Sequence, residues 1–259
     1  MKRLTTFALL CAVTTIAPAL AAEEHHAAAE KPGPDDVMEM LKEGNAQFVK
    51  GEAKLPHADK SRRELAGSSD QANFAYATIL SCSDSRVPVE LIFNAGVMDL
   101  FVIRVAGNVA DTDEIGTIEY GLAHVLTPVL VVLGHTQCGA VTAVTRSVQG
   151  EQLKLERNIP PLVDNIVPAV ERAIATHSDA HGTEVVPYAI EENVWQAIRD
   201  LFLKSPASRD LVASGKVKVV GAIYDISSGE VSWLPEAKVG EILGEVNQSP
   251  EKVEGALAE

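Results

Sequence analysis

Cysteine, positive charge, long apolar runs and internal repeats are all scarce or missing in this chain, and each absence narrows what it can be. Three cysteines in 259 residues are too few for a disulfide-stapled scaffold, so the fold has to rest on a hydrophobic core. Lysine and arginine number 22 against 36 acidic residues, a formal net charge of -14. A surface that acidic argues against nucleic-acid binding and disfavours anionic membranes. The one long apolar stretch, from about Phe7 to Leu20, is interrupted by Thr14, Thr15 and Pro18. It falls short of the roughly 20 apolar residues that a membrane span needs.

That stretch has another reading. Lys2 and Arg3 precede it, and Ala19-Leu20-Ala21 has the small-x-small form of a signal-peptidase site, which predicts a cleaved signal peptide over residues 1–21 and export to the periplasm. Bulky Leu10 before Cys11 argues against a lipid anchor there. Cleavage removes Lys2, Arg3 and no acid, so the net charge moves from -14 to -16; it also removes Cys11, leaving Cys82 and Cys138. Residues 22–34 are small, charged and end Pro-Gly-Pro, the composition of a flexible leader in which His25 and His26 are solvated. Residues 35–259 are expected to form a single domain, and a mature chain of about 235 residues buries a sizeable core.

Hydrophobic periodicity predicts an amphipathic helix over Asp35–Val49 and a short one over Ser61–Ala66. Apolar, β-rich runs at Tyr76–Leu80, Leu100–Val105, Val129–Gly134 and Lys216–Tyr224 read as buried strands. Between them fall a loop and helix after Arg86, helices at Asp113–Val125 and Cys138–Ser147, a loop over Gln149–Pro161, and helices at Leu162–His177 and Val185–Leu203. Ser227-Ser228-Gly229-Glu230 turns the last long strand into a hairpin with Val231–Leu234, and Glu236–Glu259 is a helix with a frayed end. Strands alternating with helices imply an α/β fold with a mainly parallel central sheet flanked by helices.

Two segments carry chemistry. Cys82-Ser83-Asp84-Ser85-Arg86 and His135-Thr136-Gln137-Cys138 each follow a buried strand, and open α/β sheets place ligands at the carboxyl ends of their strands. Two thiolates and an imidazole fill three positions of a tetrahedral zinc site and leave the fourth for water or substrate. A lone disulfide is the plainer reading of two cysteines in an exported protein. It gives no use to His135, Asp84 or Arg86, although thiolates that share one zinc are close enough to oxidise once the metal leaves. Two thiolates cancel the dication, so a bound water is acidified less than at a three-histidine site. Asp84 is placed either to take the fourth position or to accept a hydrogen bond from the water, and Arg86 to hold Asp84 off the metal. His177 and His181 read as a surface pair, and His124, four residues after Tyr120, as a structural histidine.

Four segments, Cys82-Ser83-Asp84-Ser85-Arg86-Val87-Pro88, Phe101-Val102-Ile103-Arg104-Val105-Ala106-Gly107-Asn108, Ile118-Glu119-Tyr120 and Gly134-His135-Thr136-Gln137-Cys138-Gly139, resemble the successive signatures of β-class carbonic anhydrases across most of residues 35–235. The resemblance implies a lyase that interconverts CO2 and bicarbonate plus a proton, with one Zn2+ per chain. It also implies a homodimer or a dimer of dimers. By the same resemblance Cys82, His135 and Cys138 are the metal ligands, with Asp84 as fourth ligand in a closed form. Zinc-bound hydroxide attacks CO2, Asp84 orients it, Arg86 orients Asp84, and the N–H of Gly139 faces a bicarbonate oxygen. Phe101, Ala106 and Tyr120 then contribute to a small apolar pocket at the subunit interface. The family's pocket glutamine falls at Asn73, with Gln71 two residues earlier, and either amide is a candidate. Ile79 stands where some bacterial members carry a tryptophan of an inhibitory bicarbonate site, so inhibition by that route is not expected, although Arg104 matches another residue of that site. The expected site is open at neutral and higher pH, with Asp84 on zinc in acid. Hydrolysis of CS2 or COS on the same scaffold is the alternative enzyme, and a periplasmic zinc-binding or thiol-disulfide protein the alternative from another class; the absence of Cys-x-x-Cys speaks against the latter.

Overall fold

A computed structural model describes residues 31–257 of the chain; the expected signal peptide and the leader up to residue 30 lie outside the described residues. The core is a five-stranded sheet made of β1 (Ala77–Ser81), β2 (Leu100–Arg104), β3 (Val129–His135), β4 (Lys218–Tyr224) and β5 (Val231–Trp233), in the order β2-β1-β3-β4-β5. The first four are mutually parallel and β5 pairs antiparallel with β4. β1 and β3 are buried at every position, as central parallel strands covered on both faces must be.

Alternation along the strands feeds two cores. Ile79, Val129, Val131, Leu133 and Val220 point to one face, where α1 (Pro34–Val49) and α3 (Val89–Ile92) cover them with Val37, Leu41 and Ile92. Leu80, Leu130, Val132 and Val219 point to the other, under α4 (Thr112–Ala123), α8 (Val186–Lys204) and α10 (Glu236–Gln248), which contribute Ile118, Ile198, Phe202 and Ile242. A third apolar cluster gathers at the carboxyl ends of β1 and β3, where α5 (Gly139–Val148), α7 (Val167–Thr176) and the start of α8 pack around Cys82 and Cys138. The edge strand β2 leaves Leu100, Phe101 and Val102 only half-buried.

Several expected boundaries move. The helix expected from Leu162 begins three residues earlier as α6 (Ile159–Val163) and passes through a 3-10 turn, Asp164–Ile166, into α7. Pro160 and Pro168 each sit in a first turn, where the missing N–H costs nothing and proline is favoured. A helix not expected, α9 (Pro206–Ala213), follows α8 directly because the Ser205 hydroxyl accepts from the Ser208 N–H at 3.1 Å and caps it. α2 (Lys60–Ala66) lies close to where it was expected. The end of the expected flexible leader is fastened: Lys31 Nζ donates to the carbonyls of Ala75 (2.8 Å) and Val125 (2.6 Å), and Gly33 caps α1. Among the described residues no helix is long and apolar enough to cross a membrane.

Candidate metal centre

β1 and β3 are neighbours in register, with Ser81 opposite Leu133, so both chains leave the sheet at the same end. That adjacency brings Cys82, one residue past β1, to His135, the last of β3, and to Cys138, the cap of α5. The ligand atoms of these three buried residues all lie within 4.8 Å of one another. Both cysteines are free thiols, so the disulfide reading is not the one that the structure adopts. Gln137, between the ligands, takes a left-handed φ of 56°, which lets the two-residue link turn Cys138 back toward His135.

The imidazole is oriented by its neighbour. His135 Nδ1 lies 2.9 Å from the Thr136 carbonyl, which only accepts, so Nδ1 carries the proton and Nε2 presents its lone pair. Nε2 is buried and has no hydrogen-bond partner, a position that costs free energy unless something binds there. A histidine whose second nitrogen donates to a carbonyl is the usual form of a metal-bound imidazole. The thiols are poised unequally. The Cys82 thiol is held well below its ordinary pKa by the hydrogen bond from Cys138, with the N–H of Gly107, 3.3 Å from the sulfur, adding to it. Cys138 is pushed up by its hydrogen bond to Cys82, by burial and by the Cys82 charge, so the pair shares a proton that a dication would displace. Two sulfurs and an unprotonated imidazole nitrogen in a buried cradle suit Zn2+.

Asp84 and Arg86 form the fork the spacing suggested. Arg86 donates through Nε to Asp84 Oδ1 (2.9 Å) and through Nη2 to Oδ2 (2.7 Å), and its backbone N–H adds a third bond to Oδ1 (2.9 Å). These bonds, the Arg86 side chain's first, hold the Asp84 carboxyl below the usual carboxylate range. Asp84 Oδ2 is 4.0 Å from His135 Nε2, beside the cluster and outside it. Arg86 Nη2 also reaches the Gln137 carbonyl at 3.2 Å, tying the Asp84 loop to the link between the other two ligands.

Of the expected pocket residues, only Ala106 and Gly139 lie beside the cluster. Both line an apolar cavity of about 530 Å3 that continues between α5 and the 153–167 segment, with Ala143, Val144, Leu155 and Val163 in its walls. Phe101 pairs with Thr78 near the start of β1 and packs on Tyr120 with ring centroids 6.0 Å apart. Gln71 and Asn73 form an exposed 3-10 turn just before β1. All four therefore sit toward the amino end of the sheet; Phe101, level with Thr78, is about 13 Å along β1 from Cys82.

Three residues beside the centre were not singled out from sequence as parts of it. Arg104 donates to the carbonyls of Cys82 (3.1 Å) and Asp84 (2.7 Å), fixing the loop backbone from the β2 side. Gly107 supplies the N–H on Cys82, and Asn193, 1% exposed on α8, donates to the Gly107 carbonyl at 2.7 Å. The signal for Asn193 was a polar residue on the buried face of its helix, between Ile190 and Ala197.

Residues 77–231 match the family model described as carbonic anhydrase. A carbonic anhydrase of Mycolicibacterium smegmatis is 35% identical over 192 residues, covering 74% of this chain and 88% of that protein. Among solved structures, the β-carbonic anhydrase CafA of Aspergillus fumigatus aligns with a TM-score of 0.59 and 25% identity, over 82% of this chain and 97% of that one. The β-carbonic anhydrase CcaA aligns with a TM-score of 0.57 and 26% identity, over 77% and 92%. Identity at this level over most of both sequences, on the same fold, makes this chain a member of the carbonic anhydrase family, in its β class.

Proposed function

We propose that this chain hydrates CO2 reversibly to bicarbonate and a proton, with one Zn2+ per chain held by Cys82, His135 and Cys138. The observation that carries this reading is the buried, partnerless Nε2 of His135 facing two free thiols within 4.8 Å. Zinc at that position supplies a Lewis acid that lowers the pKa of a water toward neutrality and offsets negative charge on the forming bicarbonate. Asp84, kept ionised and turned aside by Arg86, accepts a hydrogen bond from the attacking water and so aims its lone pair. If Arg86 releases it, the same carboxylate is near enough to His135 to take a fourth ligand position, which is the closed form. Gly139 is the first residue of α5, and its N–H, at the positive end of the helix, is the donor assigned here to a bicarbonate oxygen. Ala106 and the apolar cavity favour an uncharged linear substrate over its anionic product.

A second copy completes the pocket in this reading. β2 is an open edge, and Tyr120 (51% exposed) and Leu126 (59%) add to its apolar face. Two such edges related by a two-fold axis run antiparallel, so the amino end of one sheet lies beside the carboxyl end of the other. The partner's Phe101, Tyr120 and Gln71 or Asn73 are thereby brought toward the metal centre that they cannot reach within their own chain. In this reading the amino-terminal segment is a cleaved signal peptide, the enzyme works in the periplasm as a dimer or dimer of dimers, and its acidic surface disfavours nucleic acid and anionic membranes.

Stopped-flow CO2 hydration on mature protein of measured zinc content, with COS and CS2 assayed alongside, tests the reading. Activity should scale with zinc, and Cys82→Ser should lose metal and hydration together. Hydration independent of zinc content would overturn it; so would turnover of the sulfur substrates alone at one zinc per chain.

A further inference from the structure

We infer that Asn193 is a positioning residue for the metal centre, acting through the Gly107 peptide on the Cys82 sulfur. The inference rests on the reading of Cys82 as a zinc ligand. Gly107 stands at φ +78° and ψ 13°, and the next residue, Asn108, is also left-handed at φ 45°. Two consecutive left-handed residues are not a conformation the backbone keeps unaided. A Cβ on Gly107 would lie 2.7 Å from Ile166 Cδ1 and 3.2 Å from Ala140 Cβ, so the space admits glycine, the residue with the most freedom to relax.

Its two polar groups are each engaged once. The N–H donates to Cys82 Sγ at 3.3 Å, and the carbonyl accepts from Asn193 Nδ2 at 2.7 Å. Asn193 comes from the middle of a 19-residue helix packed along β3, and it is 1% exposed. It is therefore a rigid anchor 86 residues away in sequence. Cutting the carbonyl loose frees both torsions of Gly107 and lets the N–H swing off the sulfur. A thiolate that loses such a bond is more electron-rich and less well placed, and groups that orient metal ligands typically cost ten- to a hundredfold in affinity when removed.

A role confined to satisfying a buried carbonyl would lower stability and leave the metal unaffected, which sets the experiment. Zinc affinity by chelator competition, the sulfur-to-metal charge-transfer band of the Co2+ form, and thermal unfolding are measured on the parent, Asn193→Leu and Ile198→Ala. Ile198 is a fully buried residue of the same helix on the sheet side, so its truncation costs stability without touching Gly107. Asn193→Leu should weaken zinc binding by about ten- to a hundredfold and move the charge-transfer band to lower energy, while Ile198→Ala keeps affinity and band near the parent's. Should the leucine variant fail to fold, Asn193→Ala is read by the same criteria. An unchanged affinity and band in the Asn193 variant, or an equal loss in Ile198→Ala, overturns the inference. A parent that does not bind zinc, or binds it as well after Cys82→Ser, overturns the metal centre itself.

Discussion

Gly107→Ala is the substitution whose cost the structure lets one work out. The left-handed φ of +78° charges an alanine about 1–2 kcal/mol that glycine does not bear. The new methyl meets Ile166 Cδ1 at 2.7 Å and Ala140 Cβ at 3.2 Å, and overpacking of that kind costs about 1–3 kcal/mol. Restricting the unfolded chain returns about 0.4–1 kcal/mol, leaving a net loss of about 1–4.5 kcal/mol, centred near 3. The steric part has one chief source, Cδ1 of the fully buried Ile166, and Ile166→Val deletes that atom. Alone, Ile166→Val should cost about 0.5–1.5 kcal/mol; with Gly107→Ala it should cost nothing or restore stability, a coupling of about 1 kcal/mol or more. Urea unfolding of the zinc-loaded parent, both single variants and the double variant closes the cycle. A double variant equal to the sum of the singles, or Gly107→Ala within about 0.5 kcal/mol of the parent, would refute the reasoning, because mutational effects that size are what uninvolved surface positions give.

Arg86→Met removes both arms of the fork on Asp84 while leaving the cluster of Cys82, His135 and Cys138 intact. Hydration kcat should fall about ten- to a hundredfold at unchanged zinc content, by stopped-flow kinetics and metal analysis. Asp200 tests linkage away from the site: burial raises its pKa from 3.8 to about 6, against the opposing hydrogen bond from Gln196. The folded state therefore holds the proton more tightly than the unfolded one. The stabilisation is complete below pH 3.8 and is lost as the pH rises through about 6. Asp200→Asn should gain up to about 3 kcal/mol over the parent at pH 7.5 and only about 0.5 kcal/mol at pH 4, by urea unfolding at the two pH values. Phe101→Arg puts a charge on the open β2 edge; sedimentation should show dissociation to single chains, with hydration lost and zinc retained.

What could be read before folding and what could not divides along sequence distance. The ligand segments were legible because each is a short run directly after a strand, and a parallel sheet sends every such run to the same end. The Asp84-Arg86 fork was legible because two residues of spacing suffice to build it. Boundaries failed where proline acts as a helix starter: Pro160, Pro168 and Pro206 all begin helices, so the loop expected up to Pro161 is shorter and α9 was not expected. The anchoring of the leader's end escaped because one lysine reaches three carbonyls, 44, 94 and 95 residues on. The support behind Cys82 escaped for the same reason, Asn193 being an ordinary polar residue until the fold turns it inward. The pocket residues show a different limit. Phe101 and Tyr120 belong to the same run of resembling segments as the proposed metal ligands, yet β1 separates them from Cys82 within one chain. The pocket role proposed for them requires the open edge of β2 to meet a second one, since the parallel sheet that gathers Cys82, His135 and Cys138 at its carboxyl end keeps these side chains near the other.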